Sequence, residues 1–286
     1  MFKKISLFIA LISIVTVVVY QSIFTIPVQP ELVTGSPSVQ QKQFTCFDNP
    51  QPKPLNTVNG LSVLTWNIYK QNKTTWSAEL TELSDETQLV LLQEASMTDE
   101  LKKWISSNGW GSNQVNAFEA FNTSAGVLSL ARELPVQACG FTYTEPWLQL
   151  PKSALWTLYD LDNGQQLAVV NIHAVNFTFG TEDYQQQLLV LTQKLAQHHG
   201  PMIFAGDFNS WSEARMNTLK VELQKVGLSE VMFMPDNRTQ FISGLVLDHV
   251  FYRGLKLEEA EAPVTDASDH NPMKVRFSVL DTSQKH

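Results

Sequence analysis

The residues best suited to chemistry follow a short apolar segment at 202–205, which ends in Gly-Asp-Phe-Asn at 206–209. An apolar run of this length predicts a buried strand, and it would deliver Asp207 and Asn209 to one face at the end of that strand. A fixed carboxylate beside a fixed carboxamide can orient and deprotonate a water molecule. The same pattern occurs in turns and helix caps, so this segment alone does not decide its role.

Five further polar clusters stand at the ends of apolar runs. A carboxylate in such a place suits a hard, oxygen-seeking cation, although it could also begin a solvated loop. An aspartate inside an apolar strand is costly to bury without a partner, and a nearby histidine could supply one. With Asp207 and Asn209, these residues could carry out metal-assisted hydrolysis of a phosphate ester. The clusters contribute Asn67, Glu94, His173 with Asn176, Asp248, and Asp269 with His270.

The elements that must position these residues alternate along the chain, and no internal repeat is present. Period-two patterns and apolar runs predict strands at 61–66, 88–93, 126–131, 154–159, 166–173, 202–205, 246–252 and 273–279. Helical spacing predicts helices at 75–83, 99–107, 183–199 and 213–226. Eight strands exceed what one small sheet needs, so we expect an α/β sandwich of two sheets flanked by helices.

Composition limits the classes of protein and of substrate. The 286 residues are 43% hydrophobic and 10% aromatic, which is ample for a packed core. The formal net charge of −8 argues against a long basic groove that follows a nucleic-acid backbone. A local cationic pocket or a divalent metal could still bind one phosphate.

The N-terminal segment predicts a membrane anchor. Residues 5–26 carry no charged side chain and, as a helix, would span about 33 Å. A cleaved signal peptide is the alternative, although no small-residue cleavage site follows the apolar run. Lys3 and Lys4 would stay on the cytoplasmic side, so we expect a bacterial inner-membrane protein with its domain outside the cytoplasm. A cytoplasmic protein with an apolar start is the competing hypothesis.

Four parts of the chain are predicted. Residues 1–26 form the anchor or signal-like segment, and 27–60 are a linker because they hold six of the thirteen prolines and many polar residues. Residues 61–280 form one α/β domain, and 281–286 form a tail. The two cysteines, Cys46 and Cys139, lack a metal-binding spacing; they could pair in an exported protein and would otherwise be ordinary apolar residues.

The dispersed motifs, taken in their order, resemble those of the endonuclease/exonuclease/phosphatase family. The resemblance covers about 61–277, which is essentially the whole domain. Longer stretches at 66–71, 169–177 and 267–272 look most like the YafD-like bacterial branch of that family. The motifs are Trp66-Asn67, Gln93-Glu94, Asn171-Ile172-His173, Gly206-Asp207-Phe208-Asn209, Leu247-Asp248 and Ser268-Asp269-His270.

The resemblance implies a four-layer αββα sandwich in which Mg²⁺, or alternatively Mn²⁺, binds in a cleft at one end of the two sheets. By matched position, Glu94 would be the main metal ligand, with Asn67 and Asp269 beside the ion. Asp207 would position or deprotonate the attacking water, and Asn209 would hold Asp207.

The resemblance also assigns roles on the phosphate side of the site. His270, oriented by Asp248, would contact the scissile phosphate and stabilise its developing charge. His173 and Asn176 would contact phosphate oxygens or the leaving group. His249 stands where relatives often carry an aromatic residue, and we expect it to point to the opposite face of its strand in a structural role.

We therefore expect a Mg²⁺-dependent phosphoric ester hydrolase, most of all a phosphodiesterase or nuclease that acts as a monomer. Nucleic acid or a nucleotide is the leading substrate class. A lipid or sugar phosphate is the rival, because the domain is acidic and the N-terminus is predicted to reach a membrane. A catalytically silent, membrane-tethered binding domain is the alternative of another class.

Overall fold

The computed structural model describes residues 2–36 and 39–280. Within them the chain forms two mixed β-sheets and five α-helices. The helices are α1 (Phe2–Ile23), α2 (Trp76–Leu83), α3 (Asp99–Ser107), α4 (Glu182–Ala196) and α5 (Glu213–Gln224). The strands are β1 (Phe24–Thr25), β2 (Glu31–Ser36), β3 (Val39–Phe44), β4 (Cys46–Asp48), β5 (Leu61–Asn67), β6 (Leu89–Ser96), β7 (Gly111–Ala120), β8 (Thr123–Ala131), β9 (Gln137–Thr144), β10 (Pro151–Asp160), β11 (Gln166–His173), β12 (Met202–Asp207), β13 (Ser229–Glu230), β14 (Asp248–Arg253), β15 (Leu255–Glu261) and β16 (Met273–Val279).

Each sheet is antiparallel except at one pair of strands. In the part of the chain that the structure describes, the first sheet has the order β15-β16-β5-β6-β8-β7-β2-β3, with β1 also paired to β7. The second sheet has the order β13-β14-β12-β11-β10-β9-β4. The parallel pairs are β5 with β6 and β11 with β12, and a helix-containing connection links the strands of each pair.

The two sheets pack face to face between helices. Leu61 and Val63 of the first sheet share a core with Val169 and Ile203 of the second. The outer face of the first sheet packs on α2 and α3, and that of the second sheet packs on α4 and α5. The predicted four-layer αββα sandwich is therefore confirmed.

Strand periodicity decides which side chains reach the space between the sheets. Leu64 and Trp66 of β5 turn outward to the helices, whereas Leu61 and Val63 turn inward. Since side chains alternate along a strand, Asn67 continues the inward series at the end of β5. The same alternation puts Gln93, Asn171, His173, Asp207 and Asp248 on the inner faces of their strands.

The segment predicted to be a linker is part of the sheets, so that prediction is wrong. Strand β2 pairs with β7 along Glu31–Gly35, and β4 pairs with β9. Leu32 is fully buried, and a disulfide joins Cys46 to Cys139. The segment cannot fold alone, but it adds to edges that the rest of the domain provides. The composition of the segment could not reveal that β7 and β9 would offer edges with which it pairs.

The predicted membrane anchor is not supported. Helix α1 covers most of 5–26, yet no helix among the described residues is both long enough and apolar enough to cross a membrane. The end of α1 lies against the domain, where the Tyr20 hydroxyl donates to the carbonyls of Leu148 and Gln149 at 3.3 Å. The predicted tail, 281–286, falls outside the described residues.

The remaining predicted elements agree in position and differ at their ends. All eight predicted strands and four predicted helices are present. Several strands were missed because their residues are polar or small, notably β7, β9 and β15. These strands owe their place to pairing with neighbours more than to their own apolar pattern.

Candidate active site

Three adjacent strands of the second sheet align His173, Asp207 and Asp248 in one row. The register pairs His173 with Asp207 across β11 and β12, and Asp207 with Asp248 across β12 and β14. Gly206 permits this approach: its φ is +139°, and a Cβ there would lie 2.1 Å from the carbonyl oxygen of Ile172. Any larger residue would push the strand away, so the glycine next to Asp207 is a steric requirement.

Asp207 is buried and held by two amide donors. Asn67 Nδ2 donates to Asp207 Oδ2 at 3.0 Å, and the backbone N–H of Asn209 donates to Asp207 Oδ1 at 2.9 Å. The strand ends at Asp207 and Asn209 has a φ of 47°, so the expectation that both side chains share a strand face is wrong. The Asn209 side chain donates to the Ala174 carbonyl at 2.8 Å instead.

The environment of Asp207 makes it a stronger base than an ordinary aspartate. Burial raises its pKa, the nearby charge of His270 opposes that rise, and the charge of Asp248 adds to it, giving a pKa of about 6. A carboxylate with a pKa close to neutrality can accept a proton from water more readily.

Asp248 and His270 form a hydrogen-bonded pair. His270 Nδ1 lies 2.7 Å from Asp248 Oδ2, and the His270 carbonyl accepts a hydrogen bond from Trp66 Nε1 at 2.8 Å. Burial opposes charge on the ring, but the carboxylates of Asp248, Asp207 and Asp269 raise the pKa of His270 to about 10. His270 is therefore an imidazolium at neutral pH, with Nε2 placed 4.0 Å from Asp207 Oδ2.

Glu94 reaches the same space from the first sheet through a β-bulge. The pairing of β6 with β8 shifts register between Leu92 and Ala95, and Glu94 has a φ of 52°. Bulges next to functional sites re-aim side chains in this way. Lys70 forms an ion pair with the Glu94 carboxylate.

The charges around Glu94 favour its ionised form. Burial raises the pKa of Glu94, but the charges of Lys70 and Lys152 outweigh that effect and lower it. Lys70 belongs to a turn in which Tyr69, Lys70 and Gln71 all have positive φ, between 48° and 57°. Three consecutive left-handed residues other than glycine are costly, which indicates that the surrounding structure holds Lys70 in place.

His173 is neutral and lies between Asp207 of the second sheet and Glu94 of the first. Burial, together with the charges of Lys152 and Lys70, holds the pKa of His173 well below its usual range. Its Nε2 lies 2.9 Å from Lys152 Nζ, so the neutral ring accepts a hydrogen bond there. The same atom is 3.5 Å from Asp207 Oδ2 and 3.8 Å from Glu94 Oε1.

Glu94, Asn67 and Asp269 carry oxygen atoms of the kind that a hard divalent cation prefers as ligands. Glu94 is an ionised, partly exposed carboxylate that already binds the Lys70 ammonium group. Asn67 Oδ1 accepts a hydrogen bond from the Tyr69 N–H at 3.1 Å and keeps a second lone pair for a cation. Asp269 is exposed and is linked to Asn67 through the Ser268 hydroxyl, which lies 2.6 Å from the Asn67 carbonyl and 3.4 Å from Asp269 Oδ1.

A second group of potential ligands is chemically less suitable. One ligand atom from each of Asp207, Asp248 and His270 lies within 4.8 Å of the others. A protonated imidazole bonded to a carboxylate has no lone pair to give to a metal. This second group therefore offers a cation two carboxylates and no nitrogen ligand.

The side chain and the backbone of Asn176 are both hydrogen-bonded within the protein. Its Oδ1 accepts a hydrogen bond from Trp211 Nε1 at 2.9 Å, and its backbone N–H donates to Glu145 Oε1. Its predicted contact with phosphate stays a prediction. His249 is on the outer face of β14, fully buried and bonded to Glu230 and Ser210, as expected of a structural residue.

Two lysines of the site were missed in the sequence. Lys70 lies in the stretch 66–71 that carries the family resemblance, but its side chain gave no indication of its partner. Lys152 opens β10 without a polar cluster around it. Both lysines become recognisable only when the two sheets bring them to Glu94 and His173.

Comparisons with known proteins identify the family of the chain. The model of the endonuclease/exonuclease/phosphatase family matches residues 64–270. A UPF0294 protein of Vibrio cholerae is 58% identical over 261 residues, which cover 91% of this chain and 93% of the relative.

Solved structures share the fold at low sequence identity. A family member from Bacteroides vulgatus has a TM-score of 0.63 at 16% identity, covering 77% of this chain and 99% of its own. A mannosyl-6-phosphatase of Bacteroides thetaiotaomicron has a TM-score of 0.58 at 16% identity, covering 76% and 99%.

Proposed function

This chain belongs to the endonuclease/exonuclease/phosphatase family, and we propose that it is a Mg²⁺-dependent phosphodiesterase that uses an activated water. The observation that carries the proposal is the position of Asp207. This buried carboxylate with a raised pKa is held by Asn67 and Asn209, and it faces the imidazolium of His270. A base beside a cationic hydrogen-bond donor can serve attack by water on phosphorus.

Each residue has a separate task in this reaction. Asp207 accepts a proton from the attacking water as the new P–O bond forms. His270 stays protonated through its bond to Asp248 and donates from Nε2 to a phosphate oxygen, which stabilises the negative charge. The bond from phosphorus to the leaving oxygen breaks on the opposite side, and that oxygen takes a proton from solvent.

Two further groups bind the phosphate in this proposal. Lys152 presents an ammonium group next to the neutral ring of His173, so the pair offers a positive charge and a polar surface for a non-bridging oxygen. Glu94, Asn67 and Asp269 would hold Mg²⁺. The ion would supply Lewis-acid polarisation of the phosphoryl group.

The named activity of one structural neighbour supports the proposal at the level of chemistry. The Bacteroides thetaiotaomicron neighbour is described as a mannosyl-6-phosphatase, an enzyme that acts on a phosphate ester. Its identity to this chain is low, so it supports the reaction class and leaves the substrate open. Nucleic acid or a nucleotide, and a lipid or sugar phosphate as the rival, are both phosphate esters that this reaction could cleave.

The test is hydrolysis of bis-p-nitrophenyl phosphate by the purified full chain with and without Mg²⁺. We expect turnover that requires the ion and falls by at least a hundredfold in Asp207→Asn, because the amide cannot accept the proton. Asp99→Asn, an exposed aspartate on α3, is the matched control and should keep full activity. Equal turnover of Asp207→Asn and the native chain would refute the proposed role of Asp207.

A further inference from the structure

A small cavity of about 190 Å³ opens beside the candidate active site. Glu94, Lys70, Lys152 and His173 form its polar end. Most of the remaining wall is apolar and comes from β7, β8 and residues 148–151, with Glu145 and Ser153 as its polar members. This apolar part consists of Ala117, Phe118, Ala125, Leu148, Leu150 and Pro151.

The two polar residues of the remaining wall, Ser153 and Glu145, each have a hydrogen-bond partner within the protein. Ser153 Oγ accepts a hydrogen bond from the Val127 N–H at 3.0 Å, and Glu145 Oε1 accepts one from the Asn176 N–H at 2.6 Å. Specific recognition of a nucleobase requires donors and acceptors that read its edge, in addition to any aromatic ring on which it stacks. Apart from Glu145, the charged residues that line the cavity belong to its polar end, so the remaining wall suits a group without hydrogen-bonding atoms.

The loop that closes the cavity also carries exposed apolar side chains. Leu148 is 48% exposed and Trp147 is 56% exposed. The Trp147 ring packs against Phe179, itself 76% exposed, with ring centroids 4.6 Å apart. Exposed apolar groups next to a binding cleft are typical of surfaces that meet an apolar ligand.

We propose that this cavity binds the aliphatic chain of a phosphate-ester substrate, with the phosphate held between Lys152 and the catalytic residues. The proposal rests on the proposed function, because the same phosphate must lie within reach of Asp207 and His270. The acidic domain agrees with it, since such a ligand requires a local cationic end but no basic groove. Each methylene buried in the cavity should strengthen binding about fourfold.

Binding can be measured without turnover, because phosphonates keep the charged group and resist hydrolysis. Five more methylenes at about fourfold each would give about a thousandfold if all were buried. We therefore expect calorimetry on the full chain to show hexylphosphonate binding at least about thirtyfold more tightly than methylphosphonate, which corresponds to burial of about half of them. Leu148→Glu should remove most of that difference, and Leu148→Ala should reduce it. Val58→Glu, at an exposed apolar residue outside the cavity, should leave it unchanged. Thermal melting would confirm that all variants fold.

Two results would overturn the proposal. One is equal affinity for the two phosphonates; the other is a chain-length preference that survives in Leu148→Glu while folding is intact. If Val58→Glu also abolished the preference for hexylphosphonate, the cavity would not be the origin of that preference.

Hydrolysis separates this proposal from the proposed function. Methyl and hexyl p-nitrophenyl phosphate carry the same reacting group, and we expect a lower KM for the hexyl ester with similar kcat. Turnover of both with equal KM would refute the cavity proposal and leave the proposed function standing. No turnover of either ester would refute the proposed function, whereas the phosphonate affinities would still test the cavity by themselves.

Lipids of different chain length can show whether the aliphatic group belongs to a dispersed ester or to a membrane lipid. Cleavage of short-chain phosphatidylglycerol in solution would indicate a dispersed ester, and cleavage only of phosphatidylglycerol vesicles would indicate a membrane lipid. Faster turnover of an oligonucleotide than of any of these lipids would overturn the aliphatic assignment.

Discussion

Gln93 Nε2 donates a hydrogen bond to Asn171 Oδ1 at 2.7 Å and so joins the two sheets behind the candidate active site. Both residues are fully buried. Asn171 Nδ2 also donates to the carbonyls of Leu92 and Leu128, each at 3.1 Å. Gln93 precedes Glu94, and Asn171 is two residues before His173, so this bridge helps to set the separation of Glu94 and His173.

We expect Asn171→Leu to lower the free energy of unfolding by about 1–3 kcal/mol, because it leaves buried polar groups of the other sheet without a partner. Chemical denaturation would measure the loss. The Gln93→Met, Asn171→Leu double variant should lose less than the sum of the single variants, since it removes both ends of the bridge. Strict additivity would show that the two residues act independently.

Glu94→Gln should weaken Mg²⁺ binding and sharply reduce turnover while the fold stays intact. A neutral amide is a poorer ligand for a hard cation than a carboxylate. Calorimetry with Mg²⁺ would measure the change, with Glu259→Gln at the exposed end of an ion pair as the control. Unchanged Mg²⁺ affinity in Glu94→Gln would remove Glu94 from the metal site.

Asp248→Asn should cost nearly as much activity as His270→Ala, and the double variant should lose little more. The reason is that Asp248 keeps the His270 ring charged and oriented, so the pair acts as a unit. NMR titration adds a direct readout, because the raised pKa of His270 should fall in Asp248→Asn. Activity losses that simply multiply, or a ring that keeps its pKa, would contradict this dependence.

Glu230 should make stability depend on pH in the acid range. Burial opposes its charge, but hydrogen bonds and charges from His249 and Arg238 lower the pKa of Glu230 to about 2. A lowered folded-state pKa contributes stability that is complete above the ordinary glutamate value and is lost as pH falls toward 2. Glu230→Gln should therefore flatten stability over that interval, as measured by denaturation at several pH values. The same dependence of the free energy of unfolding on pH in the native protein and in Glu230→Gln would refute this assignment.

The disulfide between Cys46 and Cys139 should stabilise the domain by about 4 kcal/mol, because it closes a loop with a sequence separation of 93. Cys46→Ala with Cys139→Ala should show the loss in denaturant, and Cys139→Ala alone should lose as much. Equal stability of the native and double-alanine proteins would show that the bond adds nothing.

The same bond bears on location, for which we propose a domain outside the cytoplasm, where disulfides persist. An alkaline phosphatase fused after His286 should then be active, and thiol trapping in cells should find Cys46 and Cys139 oxidised. An inactive fusion with free thiols would place the domain in the cytoplasm.

The sequence by itself determined the local features of this protein. The apolar run before Asp207, the partial alternation in β5 and the apolar runs of β6 and β11 indicate strands, and the period of two tells which residues share a face. The dispersed polar motifs were enough to indicate the family and the sandwich.

Only the tertiary structure decided what depends on neighbours distant in the chain. The register of β11, β12 and β14 aligns His173, Asp207 and Asp248, and a bulge turns Glu94 toward Lys70. Neither lysine of the site, nor the strands at 31–48, carries a local pattern that reveals its partner. Pairing at a sheet edge and the pKa of a buried group depend on surroundings that the folded chain assembles from remote segments.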